Sequence, residues 1–480
     1  MSASSTRSSS ATPSLSSRLA SIDAFRGLTI LGMILAIALS AGGYQHESPS
    51  LPWVRSWLGS LPISAFFHAE FGAELWKERK IEELKQQGVS EKEAERAFRA
   101  LDLESADTAA THHEVASAEN DGVSAWSHEI LTNEQDTYQR AKHGIGVTFI
   151  DLVAPWFMLI MGVCVPLSLK KHIGKPEFWQ RVLKRTFLLI AVGMLYISLI
   201  FKQVSIWWGI LQTIGVAYFC AALFYRAPRK FWWPILLGIA LLNLGMTSSF
   251  AWWTNAWEDI ERPFGSLNVP GGDWLKIWKL HCQPWLSISY GVIAMIGVIV
   301  GEKLIRSSPA QLLRTGLAIG LFFAGSGYAI HAWGLHTGHY ELGMSKADVT
   351  TSYAFFTAGL GVLVYLLFYL IIDVWKISSW AAPLAVFGVN PLLAYFMQVI
   401  VRRALESLGL YNFFERVSPE NITIQNWALF LSQERGKPSA CVLEFFSKAG
   451  WMGVFWGLIA TALVWLVVLY CNRRKIYWKL

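Results

Sequence analysis

The chain has 480 residues, 53% hydrophobic and 16% charged, and a formal net charge of +7. Apolar runs long enough to cross a bilayer recur along it, which makes it an integral membrane protein; the positive charge then belongs to membrane topology and is no sign of nucleic-acid binding. The 5 cysteines show no CxxC or other metal spacing, so neither a zinc site nor a disulfide framework is indicated.

Residues 1–17 are rich in Ser and Thr and read as a disordered cytoplasmic tail. No cleavable apolar region follows, so they are not a signal peptide. The first transmembrane helix falls within 18–42, with its apolar run at about 25–41. It opens on SIDAFRG, where Asp23 and Arg26 stand three apart and share a helix face. A helix-end ion pair is the plainer account of these two.

Residues 43–146 form a long polar excursion. The segment ELWKERKIEELKQQ at 74–87 ends on Gly88, a good helix stop, and Ser90 with Glu93 makes a capping box for a second helix. A helical insertion over about 74–140 is expected, on the extracytoplasmic side. The excursion holds 18 Asp/Glu and 10 Lys/Arg, a net −8.

From 147 to 480 the chain reads as a transmembrane bundle. Its spans are expected at about 147–169, 180–201, 205–225, 231–251, 284–304, 311–333, 351–374, 380–401 and 449–471. With the first helix that makes about ten, in an all-α integral membrane fold. Placing the N-terminus in the cytoplasm puts KKHIGKPEFWQRVLKR, RAPRK, GEKLIRSS and CNRRKIYWKL inside, all basic, with both termini cytoplasmic. Trp pairs at 207/208, 232/233 and 252/253 fall near span ends, as an aromatic belt would.

The stretch 146–168, GVTFIDLVAPWFMLIMGVCVPLS, carries an acid, Asp151, and a proline, Pro155, one turn later. An ionisable group in a membrane span marks a pathway or a reaction; an acid resting at the water interface beside a routine kink is the plainer alternative. Of the 11 histidines only His172 falls inside. His68 and His143 flank the span that carries Asp151, and imidazole is the usual acid–base group near neutral pH. Gln212 and Thr213 interrupt the fourth span, Asn390-Pro391 breaks the ninth, and Gln398 lies two turns on; each also reads as interhelical glue. Arg402 and Arg403 stand at an outer span end, where snorkelling competes with binding of an anionic or sugar substrate. Cys282 and Cys441 both fall outside, so pairing between them stays open; the sequence does not fix their distance. No P-loop, GxGxxG, HExxH or GxSxG stands in a supporting context.

Five segments in order carry a resemblance: RLASIDAFRGLTIL (18–31), GVTFIDLVAPWFMLIMG (146–162), GILQTIGVAYF (209–219), MSKADVTTSYAFF (344–356) and FGVNPLLAYF (387–396). Through them the chain resembles the heparan-α-glucosaminide N-acetyltransferase family and its bacterial membrane relatives. The resemblance implies a membrane enzyme that takes an acetyl group from cytosolic acetyl-CoA, its co-substrate, and delivers it to an amino sugar or glycan on the other side of the membrane. It implies a histidine before the T-x-x-D run. His68, in HAEFG, fits the motif's neighbours; His143 fits its distance to Asp151. Both stay open, with His68 preferred. Asp151 orients the imidazole, and Asp23, Arg26, Gln212, Asn390 and Arg402 are the candidate binding residues, Gln212 and Asn390 as hydrogen-bond donors to an oxyanion. No metal is implied. The chain departs from the animal enzymes in the apolar run ILAIAL of the first span and in Thr213, where the family has Arg. A bacterial inner membrane is the expected location, the lipid bilayer and the acceptor are the expected partners, and a homodimer stays open. The competing functions are a glycoconjugate transporter or flippase without acyl transfer, and a scaffold that docks partners through the insertion.

Overall fold

A computed structural model describes residues 19–40, 145–147, 149–201, 206–250, 253, 277–279, 284–407 and 451–478. The described residues are mostly helical. Helix α1 spans Ala20–Ser40, α2 Phe149–Leu169, α3 Glu177–Phe201, α4 Ile210–Arg226, α5 Trp232–Ser249, α6 Ser287–Arg306, α7 Pro309–Thr337, α8 Thr351–Phe368, α9 Ala382–Val389, α10 Pro391–Ser407 and α11 Trp451–Arg473. Two three-residue strands, β1 (Ile206–Trp208) and β2 (Ile277–Lys279), pair in parallel, with Trp207 opposite Trp278.

Among the described residues six helices are long and apolar enough to cross a membrane, or seven if α9 and α10 form one span bent by 77°. The expected count of ten is not confirmed. The fourth span starts later than the sequence suggests: 206–208 is strand, because Ile-Trp-Trp suits a pleated edge, and the helix starts after Gly209. The eighth ends in a π-helical turn, Tyr369–Val374. The helix break expected at Asn390-Pro391 is present. The proposed insertion at 74–140 lies outside the described residues, as do Cys282 and Cys441.

Burial sorts the helices. The spans that contain α2 and α6 are each 78% buried, with mean hydropathies of 2.1 and 1.8, so they form the centre. Those with α3, α5 and α7 are 33%, 28% and 22% buried and present apolar faces outward, as lipid-facing helices do. Without water between helices, association relies on close packing, and small residues permit it. A Cβ on Gly162 would stand 2.0 Å from the Ala294 carbonyl oxygen, and one on Gly297 2.2 Å from that of Leu159. So α2 and α6 touch backbone to backbone. The same holds for α1 and α9, where a Cβ on Gly388 would stand 1.7 Å from the Asp23 oxygen. Phe25 joins three helices through its ring, with Trp156 at 5.7 Å, Phe368 at 5.6 Å and Tyr365 at 6.0 Å.

Candidate functional site

The polar groups separate to two ends of α2. One end holds Asp151, in the first turn of α2 and 1% exposed. A carboxylate there gains from the positive end of the helix dipole. Lys346 Nζ lies 3.9 Å from Asp151 Oδ1, and Lys346 is itself 7% exposed. The Tyr353 hydroxyl donates to the Asp151 backbone oxygen, and Trp156 Nε1 donates to Thr357 O at 3.1 Å. Tyr353 and Thr357 are one turn apart on α8, so α8 fixes the start of α2 from one side.

The segment 343–350 brings Lys346 in. Gly146 N donates to Met344 O at 2.9 Å, and Ile145 bridges Ser345. Met344 N donates to His331 Nδ1 at 3.2 Å. Thr350 Oγ1 donates to Gly343 O at 2.7 Å and Ser352 Oγ to Leu342 O at 2.7 Å. Asn243 of α5 donates to Val349 O and to Thr351 Oγ1. Val349 takes a left-handed φ of 47°, unusual for a β-branched residue. Lys346, Tyr353 and Asn243 had no role assigned from the sequence. The signal for the first two was the MSKADVTTSY run, which carried the family pattern but no visible chemistry.

At the other end, Arg26 sits on α1 with Asp23 Oδ1 at 3.7 Å, so the expected i,i+3 pair forms. Its Nη1 donates to Gly388 O at 3.3 Å and its Nη2 to Cys164 Sγ at 3.0 Å. A cavity of about 150 Å³ opens beside it. Arg26, Cys164, Arg185, Trp478, Met33 and Phe157 are among the residues that line it. Along α2, Cys164 and Phe157 are about 10 Å apart at ~1.5 Å per residue, and Asp151 lies about 9 Å beyond Phe157. The cavity therefore runs along α2 from the arginine end toward the carboxylate end.

Asn390 does not face open space. Its Nδ2 donates to Ile476 O at 2.8 Å, and Trp478 N donates to its Oδ1 at 3.1 Å. The amide grips the segment after α11, and the Asn472 amide donates to Val386 O at 2.8 Å beside it. Gln212 is fully buried in the first turn of α4, at the Asp151 end, with room made by Gly193 and Gly209. Gln398 donates to Tyr196 OH at 2.9 Å, the interhelical bond that the plainer account expected. Asp23, Arg26 and Asn390 thus gather at one end, Asp151 and Gln212 at the other. Arg402 falls on α10, where only its backbone is described. His68 and His143 lie outside the described residues. Among the described residues no group of three or more His, Cys, Asp or Glu comes together as a metal site would require.

The cavity is mostly apolar in its lining. An apolar void of about 150 Å³ holds a group about the size of benzene. The guanidinium groups of Arg26 and Arg185 stand in its lining and are donors suited to an anionic group.

The stretch that carries Asp151 and Gln212 is also where the chain is similar to known proteins. The family model described as heparan-alpha-glucosaminide N-acetyltransferase, catalytic, matches residues 128–266. That interval includes His143 and excludes His68, Arg26, Lys346 and Asn390. A heparan-alpha-glucosaminide N-acetyltransferase of Mus musculus is 33% identical over 100 residues, 19% of this chain and 15% of that protein. Its counterpart in Homo sapiens is 34% identical over 87 residues, 16% of this chain and 13% of that protein. The aligned stretch thus spans about one-seventh of the length of these curated relatives. The resemblance read from the motifs is shown by these matches, and the apolar helices with the family match point to a multi-pass membrane protein.

Proposed function

We propose that this chain is a transmembrane acetyltransferase that takes an acetyl group from acetyl-CoA and passes it to an amino sugar or glycan at the opposite end of the bundle. The observation that carries the reading is the course of α2 within the matched segment: a cavity lined by two arginines runs along the helix from Cys164 to Phe157, and a buried carboxylate, Asp151, stands in its first turn. The arginine end coincides with the basic loops that the positive-inside rule assigns to the cytoplasm, which is where acetyl-CoA would enter. About ten spans, counting α4 and the broken α9–α10 unit, would complete the bundle in a bacterial inner membrane.

In this reading Arg26 and Arg185 hold the anionic donor, and the apolar side chains of α2 and α4 exclude water from the thioester. His68, or His143, takes the proton as the acceptor nitrogen or oxygen attacks the acetyl carbon and the carbon–sulfur bond breaks. Asp151 accepts the other imidazole N–H and stabilises the charged ring, as a carboxylate does in a triad. Gln212, at the same end as Asp151, suits a hydrogen bond to the developing oxyanion. Asn390 fits this role less well, because its amide already engages the backbone of 476 and 478.

The test is acceptor-dependent release of CoA by purified protein in nanodiscs, with a panel of amino sugars. Loss of an acid–base group costs about 10²–10⁴-fold in rate, so His68→Ala should lose that factor while His143→Ala keeps turnover. The reverse result moves the role to His143. Absence of both CoA release and CoA binding would refute the reading.

A further inference from the structure

The lining of the cavity is ordered along its length. Arg26, Ile30 and Met33 follow on α1 at positions i, i+4 and i+7, and Cys164, Met161 and Phe157 run back along α2 at matching spacing. Each helix therefore presents one face, about 10 Å long at ~1.5 Å per residue. Arg26 Nη2 donates to Cys164 Sγ at 3.0 Å, so the polar ends of the two rows coincide. The opposite wall repeats the order. Arg185 of α3 stands over the Tyr218 ring of α4, 4.6 Å from its centroid. Leu189 lies one turn further along α3 and Ile214 one turn back along α4, and both line the cavity. Cys164 and Arg185 both lie within about 12 Å of the connection between α2 and α3, so the two guanidinium groups stand toward the same end and the apolar side chains toward the other. Arg185 Nε is buried and has no hydrogen-bond partner among the described residues, and a buried charged donor calls for an acceptor.

We propose that this cavity is an acyl-chain pocket and takes an anion that carries an apolar chain of about four to six carbons, longer than acetyl. The anionic group sits against Arg185, and the chain lies among the apolar faces of α1, α2 and α4. A void of about 150 Å³ holds about six carbons, as in benzene; an acetyl group supplies about a third of these. Protein interiors pack densely, so a chain that reaches Ile214 and Phe157 gains contacts that acetyl does not make. Two sources share this chemistry: an acyl thioester of CoA, and a free short-chain lipid anion. The inference rests on the acetyltransferase reading for the first source alone.

The test is equilibrium binding to purified protein in nanodiscs, with acetyl-, butyryl-, hexanoyl- and dodecanoyl-CoA, hexyl phosphate and inorganic phosphate as probes. Burial of each methylene tightens binding about fourfold. Butyryl-CoA should therefore bind at least about tenfold more tightly than acetyl-CoA, and the gain should stop near hexanoyl. Hexyl phosphate should bind at least about tenfold more tightly than inorganic phosphate, by the same increment per methylene. Met33 is partly buried, so its size can be changed in both directions. Met33→Trp should move the stop to a shorter chain and Met33→Ala to a longer one; the smaller side chain keeps the test in hand if the larger one prevents folding. Affinity for acyl-CoA that does not change with chain length would overturn the proposal and leave the acetyltransferase reading intact. Steady tightening through dodecanoyl-CoA, equal in wild type and both variants, would also overturn it, because that is partition into the bilayer. Chain-dependent binding of hexyl phosphate without binding of any acyl-CoA would remove the acetyltransferase reading and assign the pocket to the lipid anion. Binding of neither would overturn both.

Discussion

Asn390→Ala should open the cavity. The Asn390 amide makes two hydrogen bonds to the segment after α11, 2.8 Å to Ile476 O and 3.1 Å from Trp478 N. Trp478 is part of the cavity wall, as is Cys164. Each bond is worth about 1 kcal/mol net, so removing both weakens docking of the segment by about 2 kcal/mol. That raises the undocked population roughly 30-fold, given tenfold for every ~1.4 kcal/mol. The Phe396–Trp478 ring contact, at 5.5 Å, survives the substitution and limits the effect. Cys164 reports on the opening: its labelling by a charged thiol reagent, measured by peptide mapping, should accelerate by that factor. Cys220, packed against Gly291 on α6, is the internal reference and should not change. A folded Asn390→Ala protein with unchanged Cys164 labelling would refute the reasoning, because the segment would then not cover the cavity.

Two further substitutions probe the scaffold on either side of Asp151. Gly162→Val places a Cβ 2.0 Å from the Ala294 oxygen, so α2 and α6 must separate by more than an ångström; overpacking of this kind costs about 1–3 kcal/mol or more, and the thermal midpoint in detergent should fall. Asn243→Ala removes the partner of Val349 O, Thr351 Oγ1 and Trp253 Nε1 and should destabilise the protein by about 1–3 kcal/mol. Hydrogen exchange at 343–350 should rise in that variant, and unchanged protection would show that Asn243 does not hold the segment.

The sequence made the helices legible, because apolar runs of fixed length have few alternatives in lipid. The Asn390-Pro391 break was legible for the same reason: proline removes a helix donor, and the bend follows. The Asp23–Arg26 pair followed from spacing alone. Other features rest on contacts between distant segments and left no periodic trace. Lys346 reads as an ordinary charge in a loop until the 343–350 segment folds back on Gly146 and carries it to Asp151. The engagement of Asn390 by residues 476 and 478 is equally invisible in a linear reading, and it changes the use to which that amide can be put. Ile-Trp-Trp at 206–208 reads as the start of a span because strand and helix share an apolar composition over so few residues. Asp151 itself was found because an acid in a span is costly; it is nearly fully buried, with a lysine beside it.

Transfer across a sealed membrane tests the central claim most directly. Protein in closed vesicles is given labelled acetyl-CoA outside, with an amino sugar enclosed. If the arginine-lined cavity receives the donor and the Asp151 end serves the acceptor, label should appear on the enclosed sugar, and Asp151→Asn should abolish it. Label confined to sugar added on the donor side, or an enclosed sugar that stays unlabelled while CoA is released, would contradict the two-ended arrangement along α2.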